Sequence, residues 1–168
     1  MTGGDTMTIR KALPEDLDAI LPIFTAAKAF MVRTGNPTQW EAGYPSRKIV
    51  LQDIAAGHCY VEEAEGTIHG VFACIPGDDP TYRMIRGRWL NDAPYAAVHR
   101  VASDGALPGF TARCLDFCRA QCPELRVDTH EDNCVMQHLL EKYGFRRCGV
   151  ILGHDGRERL AYHLPASH

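Results

Sequence analysis

Residues 126–151, RVDTHEDNCVMQHLLEKYGFRRCGVI, hold a strand, a polar turn, a helix and a second strand in one short run. The stretch LRVDTH (125–130) alternates apolar and polar residues as a half-buried strand does. Asp132 is placed to cap the helix that follows, and Val135, Met136, Leu139, Leu140 and Tyr143 recur at helical spacing as its inner face. Gly144 stops that helix. FRRCGVIL (145–152) then resumes as a strand and pairs with RLAYHL (159–164) around the turn HDG (154–156). A strand that feeds a helix and then a hairpin belongs to a mixed sheet with helices packed on it.

Working outward, MTIRKALP (7–14) reads as a short strand. Pro14 opens a helix whose Leu17, Ile20, Leu21, Phe24 and Met31 form one apolar stripe. GNPTQWEAGYPS (35–46) is a loop, and Ser46 caps a second helix with Ile49, Val50 and Ile54 inward and Gly57 at its end. CYVEEAEGTIHGVFACIPG (59–77) is a hairpin around Glu65-Gly66. DDPTYRMIRGRWLNDAP (78–94) is a long aromatic-rich connection with at most a short helical turn, and such connections often form substrate walls. YAAVHRVAS (95–103) is a strand, followed by a helix whose inner face holds Phe110, Cys114, Phe117 and Cys118 and which ends before Pro123. The order β-α-α-β-β-β-α-β-α-β-β predicts an α/β (α+β) fold, a mixed sheet flanked by helices. One domain over residues 1–168 is expected, with residues 1–6 flexible.

A net charge of -3 gives no general attraction to nucleic acid or to an anionic membrane surface. No apolar run approaches the ~18 residues of a membrane span, and MTGGDTMTIR (1–10) lacks the layout of a secretory signal, so a cytoplasmic protein is expected. The seven cysteines are odd in number and form no Cys-x-x-Cys. Cys114, Cys118 and Cys122 share one helix face and read as small buried apolar residues in a reducing compartment. His130, Cys134 and His138 are spaced by four, but only the last two share a helix face and no fourth ligand stands out. No metal is therefore expected. Nothing pairs Cys134 with His130 as an activated nucleophile.

HRVASDGALPGFTARCLDFC (99–118) is built as a phosphate cradle is built: a strand, a turn, then a helix N-terminus with free amides. Trp40, Tyr44 and Trp89 stand in loops and are candidates for an aromatic acceptor pocket.

The element order and the residues from Tyr95 to Ile151 resemble the GNAT superfamily of acyl-CoA-dependent N-acyltransferases. The resemblance covers nearly the whole chain and is most specific over 126–151. A subgroup with His99-Arg100, Asp128 to Asn133, and Gln39-Trp40 with Gly43-Tyr44-Pro45 looks especially similar. The resemblance implies a mostly antiparallel sheet of about seven strands, splayed between the fourth and the fifth. It implies acetyl-CoA as cosubstrate, its pantetheine arm on the amides of Val101, Ala102 and Ser103 and its pyrophosphate on Gly109, Phe110, Thr111 and Ala112. Asn133 either caps the last long helix or contacts the pantetheine arm. The family signature Arg/Gln-x-x-Gly-x-Gly/Ala is altered here. It puts Pro108 at the basic position, Thr111 at the first glycine and Arg113 at the last small residue, and Arg113 would replace the missing charge. Leu140 stands where members often carry a tyrosine acid.

The activity implied is transfer of an acetyl group to a primary amine of a small molecule or peptide, with the Val101 amide as oxyanion donor. The base is His99, on the strand bordering the splay, or His130; imidazole titrates near neutral pH and suits the task. Each has a structural alternative: His99 hydrogen-bonded in the sheet, and His130 fixing its turn with Asp128 and Asp132. A second function fits the same residues, a non-catalytic GNAT-fold module that binds a small ligand or a protein. Exposed terminal strands could pair into a homodimer.

Overall fold

The computed structural model describes residues 7–166; the expectation for residues 1–6 lies outside it. The elements are β1 Met7–Lys11, a 3-10 turn Pro14–Asp16 leading into α1 Leu17–Arg33, α2 Arg47–Ala55, β2 Cys59–Ala64 and β3 Thr67–Pro76. A 3-10 turn Pro80–Tyr82 and the two-residue β4 Arg86–Gly87 follow. Then come β5 Ala96–Ser103, α3 Phe110–Gln121, β6 Leu125–Thr129, α4 Cys134–Tyr143, β7 Arg146–Leu152 and β8 Glu158–Leu164.

The strands form one sheet in the order β1-β2-β3-β5-β6-β8-β7-β4, antiparallel throughout except between β5 and β6. The strand absent from the sequence reading is β4, which pairs with the edge of β7 and brings the sheet to eight. The fourth and fifth strands of that reading are β5 and β6. They pair only at Ala96↔Leu125 and Ala97↔Arg126, so from Val98 onward β5 has no neighbour on that side.

Alternation along the strands divides the core between two faces. Tyr60 and Phe72 pack with Cys114, Cys118 and Leu140 under α3 and α4, whereas Val61 and Val71 pack with Ile20, Phe24 and Val50 under α1 and α2. A third cluster, Tyr82, Trp89, Tyr95 and Ile151, fills the space below the 78–94 connection. Gly70 of β3 leaves room for the first residue of α3: a Cβ there would lie 2.3 Å from the Phe110 ring.

One bulge in β5 sets up the site. Register with β3 slips between Val71 and Ala73, so that Arg100 and Val101 together stand opposite Phe72. The extra residue reverses which way the strand points its side chains. Ala96 and Val98 pack under α3 and α4 and so does Val101, while Ala97 and Ala102 pack on the opposite face. Arg100 takes the left-handed conformation, φ 52°, that this local turn demands.

α4 departs from expectation at its start. Asn133, not Asp132, is the cap: its Oδ1 accepts from the Met136 amide at 3.0 Å. Val135 and Leu139 are 40% and 37% exposed and line an open groove instead of the core, and Leu140 is the buried residue of the helix.

Candidate active site

Divergence of β6 from β5 opens a groove of about 550 Å³. Its floor is Val101, Ala102 and Ser103; one wall is the C-terminal half of α1, and the other is the N-terminal turns of α3 and α4. Gly109, with φ 85°, turns the chain into α3, and Phe110, Thr111 and Ala112 line the groove just beyond it. Strand positions without a partner beside a helix N-terminus suit an extended amide-bearing chain that ends in phosphate.

Arg113 does not join them. Its Nε and Nη2 donate to the Glu62 carboxylate at 2.7 and 2.9 Å, and Nη1 donates to the Pro108 carbonyl at 2.6 Å. Glu62 is 1% exposed, and a carboxylate that deep requires a cation; Arg113 is that cation and lines neither cavity. Asn133 lies in the groove wall, but its side chain is already engaged. Oδ1 caps α4, and Nδ2 donates to Gln39 Oε1 at 2.9 Å. Gln39 Oε1 also accepts from Thr129 Oγ1 at 3.2 Å and from the His130 amide at 3.3 Å, which ties the α1–α2 loop to the β6–α4 turn.

A second cavity of about 400 Å³ meets the groove at Met31, Val101, Asn133 and Met136. His99 projects into it between two carboxylates. Nε2 lies 2.8 Å from Asp79 Oδ2, and Nδ1 lies 3.6 Å from Asp128 Oδ1. Asp79 Oδ1 accepts from the Thr81 amide and hydroxyl at 2.9 and 2.7 Å. Burial works to raise the Asp79 pKa, but the His99 bond and charge and the Thr81 donors outweigh it and hold the group down at about 2. An ionised Asp79 fixes the proton of a neutral His99 ring on Nε2 and leaves the Nδ1 lone pair free. Asp128 Oδ1 accepts from the Tyr82 hydroxyl at 2.6 Å. Burial and the Asp128 charge push the Tyr82 pKa well up, so it remains a donor.

Trp40 and Tyr44 form the aromatic side of this cavity. The Trp40 ring stands edge-on to Phe24 and Tyr44, and Tyr44 stacks on His154 at 4.4 Å. Trp89 lies elsewhere: it is 9% exposed, its Nε1 donates to the Tyr82 carbonyl at 2.9 Å, and Arg126 stacks on its face. A loop tryptophan reads as exposed, and only the folded connection shows this one to be core. His130 lines neither cavity; its Nδ1 accepts from the Asp132 amide at 3.0 Å and its Nε2 sits 3.4 Å from Thr38 Oγ1. Leu140 is buried at the position of the family tyrosine. Tyr143 donates its hydroxyl to Asp116 at 2.5 Å and also lines neither cavity.

Asp79 was not singled out in the sequence, and Asp128 was assigned only to a turn. Asp79 precedes Pro80 and accepts from Thr81, a turn signal that says nothing of a histidine twenty positions on. Among the described residues no group of three His, Cys, Asp or Glu side chains is arranged to hold a metal ion. No cysteine lines either cavity. Among the described residues, no helix is long and apolar enough to cross a membrane.

No family model matches the sequence, and no curated protein does so at significant similarity. Solved structures do match. A GNAT-family acetyltransferase from Streptococcus agalactiae 2603 superposes with TM-score 0.86 at 34% identity, over 96% of this chain and 96% of that one. A GNAT-family acetyltransferase from Listeria monocytogenes 4b F2365 gives 0.69 at 18% identity over 98% of both chains. An N-acetyltransferase from Staphylococcus aureus Mu50 gives 0.59 at 20% identity over 96% of this chain and 99% of its own. The last two share the fold alone. Identity of 34% sustained along almost the whole of both molecules reaches past a shared fold, and the protein belongs to the GNAT family of acetyltransferases.

Proposed function

We propose that this protein transfers an acetyl group from acetyl-CoA directly to a primary amine, with His99 as the general base. One observation carries the reading: the free Nδ1 of His99 stands in one cavity, two residues along β5 from Val101, where that cavity meets the groove. The groove offers the donor unpaired β5 positions beyond Ala97 and a helix N-terminus at its far end. Bound there, acetyl-CoA supplies a thioester carbonyl for attack by the amine and a thiol as leaving group.

The protein's own groups divide the remaining work. Asp79 orients the imidazole, and Nδ1 takes a proton from the acceptor ammonium so that its nitrogen becomes nucleophilic. The Val101 amide, in the bulge, is the donor for a carbonyl oxygen that gains negative charge. The C–S bond then breaks, and the thiolate leaves with the proton that the attacking nitrogen gives up as it becomes an amide. Holding both substrates across Val101 supplies proximity. His130 has no part in this reading because it lines neither cavity. All seven cysteines are free thiols, compatible with a reducing cytoplasmic setting.

The test is direct. Acetyl-CoA at millimolar concentration raises the melting temperature, and thiol is released when an amine is added. His99→Gln lowers kcat by about a hundredfold and removes the loss of rate toward acid pH, with acetyl-CoA binding retained. Absence of any thermal shift with acetyl-CoA overturns the reading in favour of a non-catalytic module.

A further inference from the structure

The two arginines that line the acceptor cavity each already bond a carboxylate of the protein. Arg100 makes a two-point bond to Asp53, Nε to Oδ2 at 2.7 Å and Nη2 to Oδ1 at 2.9 Å, and its Nη1 donates to the Tyr44 hydroxyl at 3.0 Å. Arg159 is 4% exposed, and its Nη2 donates to the Gln39 carbonyl at 2.8 Å and to Asp155 at 3.1 Å, a carboxylate it shares with Arg157 Nε at 2.8 Å. Both guanidiniums are held in place by carboxylates of the protein. The balance of the wall is the opposite. Asp79 and Asp128 flank His99, and Asp128 Oδ2 accepts no hydrogen bond from the described residues while its partner oxygen is held by Tyr82. The remaining surface at this end is apolar: Trp40, Met31 and Ile49.

Resting on the acetyl-transfer reading above, we propose that the acceptor is a small cationic primary amine with an apolar or aromatic body and no carboxylate. Its ammonium sits between His99 Nδ1 and Asp128 Oδ2, and its carbon body lies against Trp40 and Tyr44. An α-carboxylate on the same skeleton loses its hydration on entry, meets two like charges and finds only arginines that carboxylates of the protein already hold, so the amino acid is rejected where its decarboxylated counterpart is accepted. The cavity is sized for a small molecule.

Phenethylamine and phenylalanine form a pair that differs by that carboxylate alone. Without donor, phenethylamine raises the melting temperature and phenylalanine does not. With acetyl-CoA, the amine is used with a kcat/KM at least about tenfold above that of the amino acid. Asp128→Asn keeps an acceptor for Tyr82, so the fold and the acetyl-CoA thermal shift are retained. The KM for phenethylamine rises about tenfold, and the gap between the two ligands narrows. Phenylalanine stabilising or reacting as well as the amine overturns the assignment. So does an Asp128→Asn variant that binds the amine as the native protein does, and so does a failure of both ligands to shift melting. If acetyl-CoA fails to bind while phenethylamine still stabilises, acetyl transfer falls and the ligand class stands.

Discussion

At the scale of single residues, the proposed base chemistry depends on which nitrogen of His99 carries a proton, and Asp79 at 2.8 Å from Nε2 favours that atom. An asparagine at 79 offers an amide N–H to Nε2 and allows the ring proton to move to Nδ1, the wrong atom for a base. Asp79→Asn should lower kcat by about a hundredfold with little change in KM for acetyl-CoA, as read by thiol release. The same substitution has a signature in stability. Asp79 titrates at about 2 in the fold, below the roughly 3.9 of an unfolded chain. Its contribution is therefore present above about pH 4 and is lost as pH falls through about 2. The difference in melting temperature between the native protein and Asp79→Asn should narrow across that interval, and a constant difference would detach the low pKa from the fold. His99 stands out in the sequence through the family resemblance of its strand. Its partner does not, because hydrogen bonds between positions twenty apart depend on how the 78–94 connection folds back, and no spacing rule encodes that.

At the scale of elements, α3 shows how far local pattern reaches. Strand, turn and helix N-terminus follow from alternation, Gly109 and the apolar face of Phe110, Cys114 and Cys118, and all three are present. What the pattern leaves out is the destination of Arg113, since Glu62 lies 51 residues away on β2. A lone Arg113→Ala leaves Glu62 buried without a partner and should cost about 3 kcal/mol in denaturant unfolding. Arg113→Met combined with Glu62→Gln should recover most of that loss. Acetyl-CoA affinity of the double variant, measured by calorimetry, should match that of the native protein; a large loss would mean that the guanidinium serves the phosphates after all. The start of α4 follows the same lesson in miniature. Asp132 and Asn133 are both good caps, and the choice falls to Asn133, whose Nδ2 also meets Gln39 from a distant loop. The bulge in β5 has no compositional mark either: an arginine at φ 52° is held there by Asp53 and Tyr44, both remote in sequence.

For the molecule as a whole, the sheet is two antiparallel blocks, β1-β2-β3-β5 and β6-β8-β7-β4, joined along two residue pairs. The cavities lie where that seam opens and are walled by different elements. The α1, α3 and α4 segments enclose the groove, while the α1–α2 loop, the 77–81 connection and the β7–β8 turn enclose the second cavity. They touch at four residues, of which Val101 carries the bulge amide. That narrow common boundary has a kinetic meaning. If the proposed transfer holds, two chambers that meet only at those residues would let donor and acceptor reside on the protein together, and with no cysteine in either wall there is no thiol to hold the acetyl group between visits. Initial-rate plots at several fixed concentrations of one substrate should give lines that intersect; parallel lines would require a covalent relay. On the proposed transfer, the few atoms around Val101 would act as a turnstile through which a two-carbon group passes while both carriers are still in place.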